Sequence, residues 1–304
     1  MNSPSFNEIA ALFPSYLSST IDKYLRADIG RSIAAQNVPH SKPQFVGIEG
    51  QILSYYKEPG GLLVSDGHAT LAFLDAKTNP DLYGQVKMVP LSLTRFLVIG
   101  SSSVALYDLD LGIINQVVKV RASSAVHACR LDASTFVLGD RGLVLFTYVG
   151  GALTRLRHWP LRMHQVSIDH LVGMSYCFLA ARANVIEVYD PASVPGIRSV
   201  ALPFRPQSVV AGRSSVLIAN EQTVFVYNFN LTALFSVQAR APITALAELA
   251  DGCVAIAYER KLEIWKAAKL HHTYELAFTP VWMDVPNREL VCAEDNVLYT
   301  FLKN

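Results

Sequence analysis

The chain has little charge and no long hydrophobic run, and each of these absences excludes a class of protein. Charged residues make up 17% of its 304 residues, whereas they usually approach a quarter of a soluble domain. No stretch reaches the roughly 18 consecutive apolar residues that a membrane-spanning helix needs. The N-terminal region carries Glu8 and Asp22 and no early basic segment, so neither a signal peptide nor a transit peptide is indicated. We therefore expect a cytoplasmic protein, with a cytoskeleton-associated or nuclear location also open.

The chain also has few cysteines and almost no net charge. The four cysteines, Cys129, Cys177, Cys253 and Cys292, are far apart in the sequence. Their spacing offers no pairs for a disulfide framework or a metal site, so reduced, buried thiols are expected. The net charge of +1 exerts no overall attraction on nucleic acid, which makes a nucleic-acid partner an unfavoured choice.

The sequence also lacks a recognisable catalytic set. No two of its eight histidines have a carboxylate or cysteine at a known ligand spacing. No glycine loop could cradle a phosphate, and no serine has the context of a nucleophile elbow. We therefore expect no enzyme activity, no catalytic residue, no metal and no cofactor.

What the chain does contain is seven copies of one hairpin. In each copy an apolar strand ends on a small residue, a short turn follows, and a second apolar strand ends on an aromatic residue. The small residues are Ser65, Gly100, Gly139, Ala180, Ala219, Ala257 and Ala293. The aromatic residues are Phe73, Tyr107, Phe146, Tyr189, Tyr227, Trp265 and Phe301. A spacing of 34 to 43 residues between successive aromatics is close to the roughly 40 residues of a four-stranded propeller blade. The repeat predicts an all-β, seven-bladed β-propeller.

Over about residues 44–304 these strand endings resemble the WD-repeat propellers. The dipeptides Tyr107-Asp108, Tyr189-Asp190, Tyr227-Asn228 and Trp265-Lys266 stand where that family has Trp-Asp. Only one of the seven endings keeps a tryptophan, and the family's Gly-His dipeptide is missing. The resemblance implies the ring of blades, while the family's internal hydrogen-bond network lacks most of its usual members.

The two ends of the predicted propeller suggest how the ring closes. The seventh hairpin ends at Phe301, which leaves the last blade without an outer strand, while Gln44–Ile48 precedes the first predicted inner strand, 52–56. We expect Gln44–Ile48 to complete the seventh blade. A cut just before residue 50 should then destabilise the ring, and a cut at residue 40 should not.

Arginines recur in the loops that lead from an outer strand to the next inner strand. Arg121, Arg162, Arg205 and Arg240 each stand three to five residues before a predicted inner strand. Because these loops emerge on one face of a propeller, equal offsets would place the guanidiniums in an arc, with Arg155, Arg157 and Trp159 beside it. Arginine and tryptophan are frequent interface anchors, so we predict a partner-binding face here. Capping of strand ends is the structural alternative.

The first 43 residues form a different kind of sequence. A capping-box pattern begins at Ser5 with Glu8, and Pro14 precedes an apolar stripe at helical spacing. The stripe consists of Leu17, Ile21, Tyr24, Leu25, Ile29 and Ile33. This pattern predicts an amphipathic helical arm and linker over 1–43, with the propeller over 44–304. The arm could pack on its own propeller, dimerise or dock on another protein, or lie on a membrane surface.

These features together predict a non-enzymatic scaffold for protein partners within a multisubunit complex, with the arm as a tether. Low charge suits a subunit that is held in an assembly. The alternative is a recognition module that binds an acidic or phosphorylated segment through the arginine-bearing face.

Overall fold

A computed structural model of the chain describes residues 33–37, 43–66, 70–75, 86–100, 103–119, 126–139, 142–160, 167–174, 176–192, 197–249 and 252–301. These residues form seven antiparallel sheets of four strands each. Each sheet is one blade of a ring, so the predicted seven-bladed β-propeller is confirmed.

In blades 1 to 6 the strands follow the chain from the innermost to the outermost. Blade 1 contains β2 (Gln44–Ile48), β3 (Gln51–Glu58), β4 (Gly61–Ser65) and β5 (Thr70–Asp75). Blade 2 contains β6 (Lys87–Pro90), β7 (Arg95–Ile99), β8 (Ser103–Asp108) and β9 (Ile113–Lys119). Blade 3 contains β10 (His127–Arg130), β11 (Thr135–Gly139), β12 (Gly142–Val149) and β13 (Ala152–Pro160). Blade 4 contains β14 (His170–Met174), β15 (Cys177–Arg182), β16 (Val185–Tyr189) and β17 (Ile197–Ala201).

The remaining blades have the same four-stranded plan. Blade 5 contains β18 (Ser208–Ala211), β19 (Ser215–Ala219), β20 (Thr223–Asn228) and β21 (Ala233–Gln238). Blade 6 contains β22 (Ala245–Glu248), β23 (Cys253–Tyr258), β24 (Lys261–Lys266) and β25 (Lys269–Glu275). Blade 7 contains β26 (Trp282–Asp284), β27 (Val291–Glu294), β28 (Val297–Phe301) and, as its outer strand, β1 (Ile33–Asn37). A 3-10 turn, Pro286–Arg288, joins β26 to β27.

The hydrophobic core lies between the blades rather than at the centre of the ring. Seven clusters of buried side chains occupy the seven interfaces between neighbouring blades. On β7, Phe96 and Val98 face blade 1, whereas Leu97 and Ile99 face blade 3. Successive side chains of a strand point to opposite faces. Both faces of a middle strand are therefore buried, which explains the near-continuous apolar runs in the sequence.

In blades 4 and 6 a glutamate of the third strand is held by polar side chains of its own hairpin. Glu263 accepts hydrogen bonds from the Tyr258 hydroxyl and, at 2.9 Å, from the Trp265 indole. At the equivalent position of blade 4, Glu187 lies 3.4 Å from the Arg182 guanidinium and accepts a 2.9 Å bond from Tyr189. Desolvation by burial is the main reason why the pKa of Tyr189 is raised to about 12. The two glutamates are therefore stabilised by different partners in the two blades.

The hairpin pattern is placed correctly in six blades and is shifted by one strand in the first. In blades 2 to 7 the aromatic residues from Tyr107 to Phe301 lie on the third strand. In blade 1, however, Ser65 lies on the third strand and Phe73 on the fourth. The true equivalent of the repeated hairpin is β3 with β4, whose turn is formed by Pro59 and Gly60.

This shift overturns the predicted closure. Gln44–Ile48 pairs with β3 and is the innermost strand of blade 1, so it does not complete blade 7. The ring is closed by β1, in which Ile33 lies opposite Phe301 and Asn37 opposite Val297. A chain cut at residue 40 would lose this strand, and we now expect that cut to open blade 7.

The predicted helical extension has no support in the structure. Its stripe positions Leu17, Ile21, Tyr24, Leu25 and Ile29 lie outside the described residues. The last stripe position, Ile33, begins a β-strand, so the boundary between arm and propeller lies before residue 33 rather than after residue 43. Pairing with β28 decides the conformation here, because tertiary context overrides local helix propensity.

Candidate functional site

The inner strands line the axial channel and place seven equivalent side chains at each of its ends. At the upper mouth, where the inner strands begin, their first residues are Gln44, Lys87, His127, His170, Ser208, Ala245 and Trp282. Polar residues thus occupy blades 1 to 5, and the titratable bases occupy the adjacent blades 2, 3 and 4.

Lys87, His127 and His170 form the upper cluster. The Lys87 side chain is exposed, and both imidazoles are half-buried. The pKa of Lys87 and the pKa of His127 are both lowered, mainly because desolvation disfavours their charged forms. The positive charges of Lys87 and His170 lower the pKa of His127 further, while Asp169 acts to raise it. These groups are therefore close enough to feel one another's charge.

Among the described residues, the carboxylate that acts on the upper cluster is Asp169, and it is already engaged. Asp169 lies 3.1 Å from Nε of Arg205 and accepts a 2.8 Å hydrogen bond from the backbone N–H of Ala183. Burial opposes ionisation of Asp169, yet the hydrogen bonds from Arg205 and Ala183 outweigh it and lower its pKa. The pair connects the loop before blade 5 to blade 4, so Arg205 is committed to a structural contact.

The structure describes two of the four arginines of the predicted face, so the arc stays a prediction. The inner strands begin at His127, His170, Ser208 and Ala245, so the four arginines precede them by unequal offsets. Arg121 and Arg162 lie outside the described residues. Arg240 is exposed, whereas Arg205 holds Asp169.

Arg155, Arg157 and Trp159 all lie on β13, the outer strand of blade 3. Arg155 is exposed, but Arg157 donates a 2.8 Å hydrogen bond to the carbonyl of Pro191 and stacks over Trp159. The half-buried Trp159 ring packs edge-on against Phe178 and Tyr189, with centroids 5.3 and 5.8 Å away. Trp159 therefore joins blades 3 and 4, and Arg155 is the most available of the three.

The lower mouth, where the inner strands end, contains charged side chains that have partners within the protein. Arg130 of blade 3 reaches Glu49 of blade 1 across blade 2, at 3.2 Å. Glu248 is 6% exposed and accepts hydrogen bonds from both backbone N–H groups of Ser214 and Ser215 and from the Ser214 hydroxyl. Asp284 accepts a 2.7 Å bond from Val285 N–H, and its burial raises its pKa.

Small residues make room for these lower charges. A Cβ atom added to Gly47 would overlap the Asp284 carboxylate, and one added to Gly173 would overlap the carbonyl oxygen of Arg130. Between blades 1 and 7 the lower face also has a cavity of about 390 Å³, lined by Asp66, Glu289 and Asn287 among others. That interface has a small core around Val291, Ala293 and Leu298.

Exposed apolar side chains concentrate on one side of the ring. The described residues include nine large hydrophobic side chains that are exposed, and six of them lie on blades 1 to 3. We call these six the apolar rim: Leu71, Phe73, Leu111, Ile114, Val149 and Leu156. Leu71 and Phe73 are on β5, Ile114 on β9 and Leu156 on β13, which are the outer strands of three consecutive blades.

The described part of the chain offers neither a metal centre nor a membrane-spanning helix. No group of three or more His, Cys, Asp and Glu side chains could hold a metal ion there. No helix among the same residues has the length and apolarity to cross a membrane. Cys129, Cys253 and Cys292 are buried free thiols, and Cys177 is half-buried and also free.

Solved structures similar to this chain include a β-propeller domain and chains from structures of protein complexes. One is a chain in the crystal structure of the mitotic checkpoint complex, 12% identical, covering 89% of this chain and 95% of that chain with a TM-score of 0.64. Another is the β-propeller domain of Cps50 (Swd1) from Myceliophteria thermophila, 15% identical, with coverages of 87% and 98% and a TM-score of 0.62. A third is BBS1N in complex with ARL6DN, 11% identical, with coverages of 91% and 95% and a TM-score of 0.59.

At these identities the similarity shows the fold alone. No protein-family model matches the chain, and no curated protein matches its sequence. The seven-bladed propeller is thus established, whereas membership of the WD-repeat family stays a prediction from the strand endings.

Proposed function

We propose that this chain is a non-enzymatic scaffold that holds protein partners in a multisubunit cytoplasmic complex and docks them through the apolar rim. The observation that carries the proposal is the concentration of exposed large hydrophobic side chains on three consecutive blades. Contiguous exposed apolar patches mark interfaces in soluble proteins, and we infer that the side chains of the rim form such a patch. The similar chains in the mitotic checkpoint complex and in BBS1N with ARL6DN, both of which are bound to other proteins, support the same role.

The chemistry of the rim indicates the partner surface. Leu156 directly follows Arg155 and precedes His158 by two residues, and both of these neighbouring side chains are exposed. An apolar segment flanked by acidic residues would bury the leucine and meet the guanidinium. Arg155 from the predicted partner-binding face is thus retained in this proposal as a neighbour of the rim.

Paired substitutions of exposed leucines test the rim. The tagged full chain is compared with the double variant Leu111→Glu, Leu156→Glu by affinity purification and mass spectrometry. The matched control is Leu234→Glu on the outer strand of blade 5, because Leu234 and Leu156 are 54% and 55% exposed. We expect the double variant to lose its principal partners at both low and high salt, and the control to keep them.

Folding of each variant is checked by thermal unfolding, since a solvent-facing leucine should change stability by no more than about 0.5 kcal/mol. Recovery of the same partners with the folded double variant would refute docking through the rim. Equal losses with Leu234→Glu would refute its specificity.

The tether remains part of the proposal for the residues before β1 only, because Ile33–Asn37 is an integral strand of blade 7. Leu17→Glu with Leu25→Glu, made in the full chain, would place charges on the predicted apolar stripe. Loss of a partner that the rim variant retains would establish a second attachment point. An unchanged partner set would reject the tether.

The alternative function, recognition of an acidic or phosphorylated segment by the arginine-bearing face, has weaker support from the arginines themselves. Arg205 is compensated by Asp169, and Arg157 and Trp159 are engaged between blades 3 and 4. Arg240 remains exposed on that face. The cations best placed for an anion are instead those of the upper cluster.

A further inference from the structure

We propose that the upper cluster, Lys87, His127 and His170, is a binding site for a phosphate group at the upper mouth of the axial channel. The site is independent of the apolar rim. It lies at the ends of the inner strands of blades 2, 3 and 4, whereas the rim lies on outer strands.

The register of the blades brings the three side chains together. Lys87 lies opposite Ile99, His127 opposite Gly139 and His170 opposite Ala181, which are equivalent positions in three successive sheets. Strand β10 packs between β6 and β14, so His127 is the central member. Its pKa responds to the charges of both neighbours, which agrees with this placement.

Among the described residues, the central and first members of the cluster have no ion-pair partner, although the charge of Asp169 acts to raise the pKa of His127. Within the described ranges, neither the Lys87 ammonium nor the His127 imidazole has a hydrogen bond or an ion pair. His170 uses Nε2 in a 3.2 Å contact with the Pro206 carbonyl, which leaves its other ring nitrogen for a ligand. The Asp169 carboxylate is turned to Arg205 and Ala183.

Adjacent like charges without a counter-ion destabilise one another. At the lower mouth of the same channel the protein avoids this situation by pairing Arg130 with Glu49. An anion bound at the upper mouth would remove the repulsion there and would be attracted by all three bases. The three bases of the upper cluster should therefore repel one another less when an anion is bound between them.

A phosphate group fits this arrangement better than a carboxylate does. It carries close to two negative charges near neutral pH and offers three acceptor oxygens in a tetrahedral arrangement. Three donors that approach from three neighbouring blades can each meet one oxygen, whereas a carboxylate has two. Charge-assisted hydrogen bonds of this type are the strong ones. The group could belong to a phosphorylated side chain of a protein or to free phosphate.

Calorimetric titration of the full chain tests the site with three probes: inorganic phosphate, a short phosphoserine peptide and the same peptide without phosphate. We expect saturable binding of both phosphate-bearing probes and none of the unmodified peptide. Tighter binding of the phosphopeptide than of inorganic phosphate would assign the ligand to a modified protein. The reverse order would assign it to free phosphate.

Substitutions then locate the binding. Lys87→Gln with His127→Gln should weaken phosphate binding by about tenfold or more, because two charge-assisted contacts are lost. The matched control is Lys269→Gln with His271→Gln, the same two changes at exposed positions on β25 of blade 6. Absence of saturable binding to the parent chain overturns the proposal. Equal weakening in the control pair overturns its location.

A pH series gives a readout that a merely structural role would not produce. Sulfate serves as the probe, because it remains a dianion throughout the range. The groups that face His127 are Lys87 from β6 and His170 and Asp169 from the start of β14. As the pH falls from about 7 toward about 5, His127 becomes protonated, because its pKa lies below the ordinary value of about 6.5, and sulfate should bind several-fold more tightly. A pH-independent affinity would contradict the assignment of the histidines.

Discussion

The two mouths of the axial channel are built on the same seven strands, yet they treat charge in opposite ways. On β10, Arg130 at the lower end reaches Glu49 of blade 1, whereas His127 at the upper end is affected more by the positive charges of Lys87 and His170 than by the carboxylate of Asp169. On β22, Glu248 at the lower end accepts three hydrogen bonds from Ser214 and Ser215. The comparison separates charges that hold the ring together from charges that are available to a ligand.

The strongest way to break the lower mouth is Glu248→Ala. The change leaves the donors of Ser214 and Ser215 without their acceptor in a buried place, and we expect the free energy of unfolding to fall by about 4 kcal/mol. Urea denaturation measures the change. Glu248→Gln keeps an acceptor oxygen, so its free energy of unfolding should fall by much less. Equal losses of stability in the two variants would argue against the hydrogen bonds as the cause.

A second test adds one methyl group to the lower mouth. In Gly173→Ala the new Cβ would overlap the backbone carbonyl of Arg130, and overpacking of this kind costs about 1 to 3 kcal/mol. Thermal and urea unfolding report the loss. The equivalent residue of blade 5 is already Ala211, and Ala211→Gly should cost about 0.5 to 1 kcal/mol. A neutral Gly173→Ala would show that the two blades can separate without penalty.

The upper mouth should reveal itself through pH instead. The pKa of His127 is lower in the folded chain than its ordinary value, mainly through desolvation and then through Lys87 and His170. A base with a lowered pKa contributes stability above its unfolded pKa, about 6.5, and this stability is lost as the pH falls below that value. Urea midpoints of the parent chain should therefore fall between about pH 7.5 and about pH 5.5. The His127→Gln variant should fall less, and identical curves would contradict the prediction.

The smallest effect is expected for Lys87→Gln. Lys87 is exposed and has no ion pair among the described residues, so its loss should change the free energy of unfolding by less than about 0.5 kcal/mol. The same denaturation assay measures it. A large destabilisation would mean that Lys87 is a structural charge like those of the lower mouth, which would remove the contrast.

The ring could be predicted from the sequence because the same pattern of apolar, small and aromatic residues recurs in successive blades. Pairs such as Ala257 with Trp265 and Ala293 with Phe301 mark the second and third strands of their blades. Blade 1 departs from this pattern, since Ser65 and Phe73 imitate the pair one strand too late. This error led us to predict Gln44–Ile48 as the closing strand. The actual closing strand, β1, is short and rich in alanine, so its sequence alone did not predict a strand. Its pairing with β28 is a tertiary effect.

The candidate site was missed for a different reason. Lys87, His127 and His170 are 40 and 43 residues apart, and they become neighbours only through the register of three blades. Aligning the first residues of successive inner strands would have exposed the set. Arginine offsets counted from approximate strand starts pointed instead to Arg205, whose partner Asp169 lies in another blade and has no spacing rule in the sequence.

The pairing of β1 with β28 also sets the order in which the ring can be completed on a ribosome. Ile33 is made early, and its partner Phe301 is made only after the strands of the other six blades. At usual synthesis rates this interval is roughly ten seconds to a minute. During that time β1 has an unpaired edge that another nascent chain, or a second copy of this one, could capture. Closure is thus the last step in forming the ring, and the one at which a chaperone would have the most to protect.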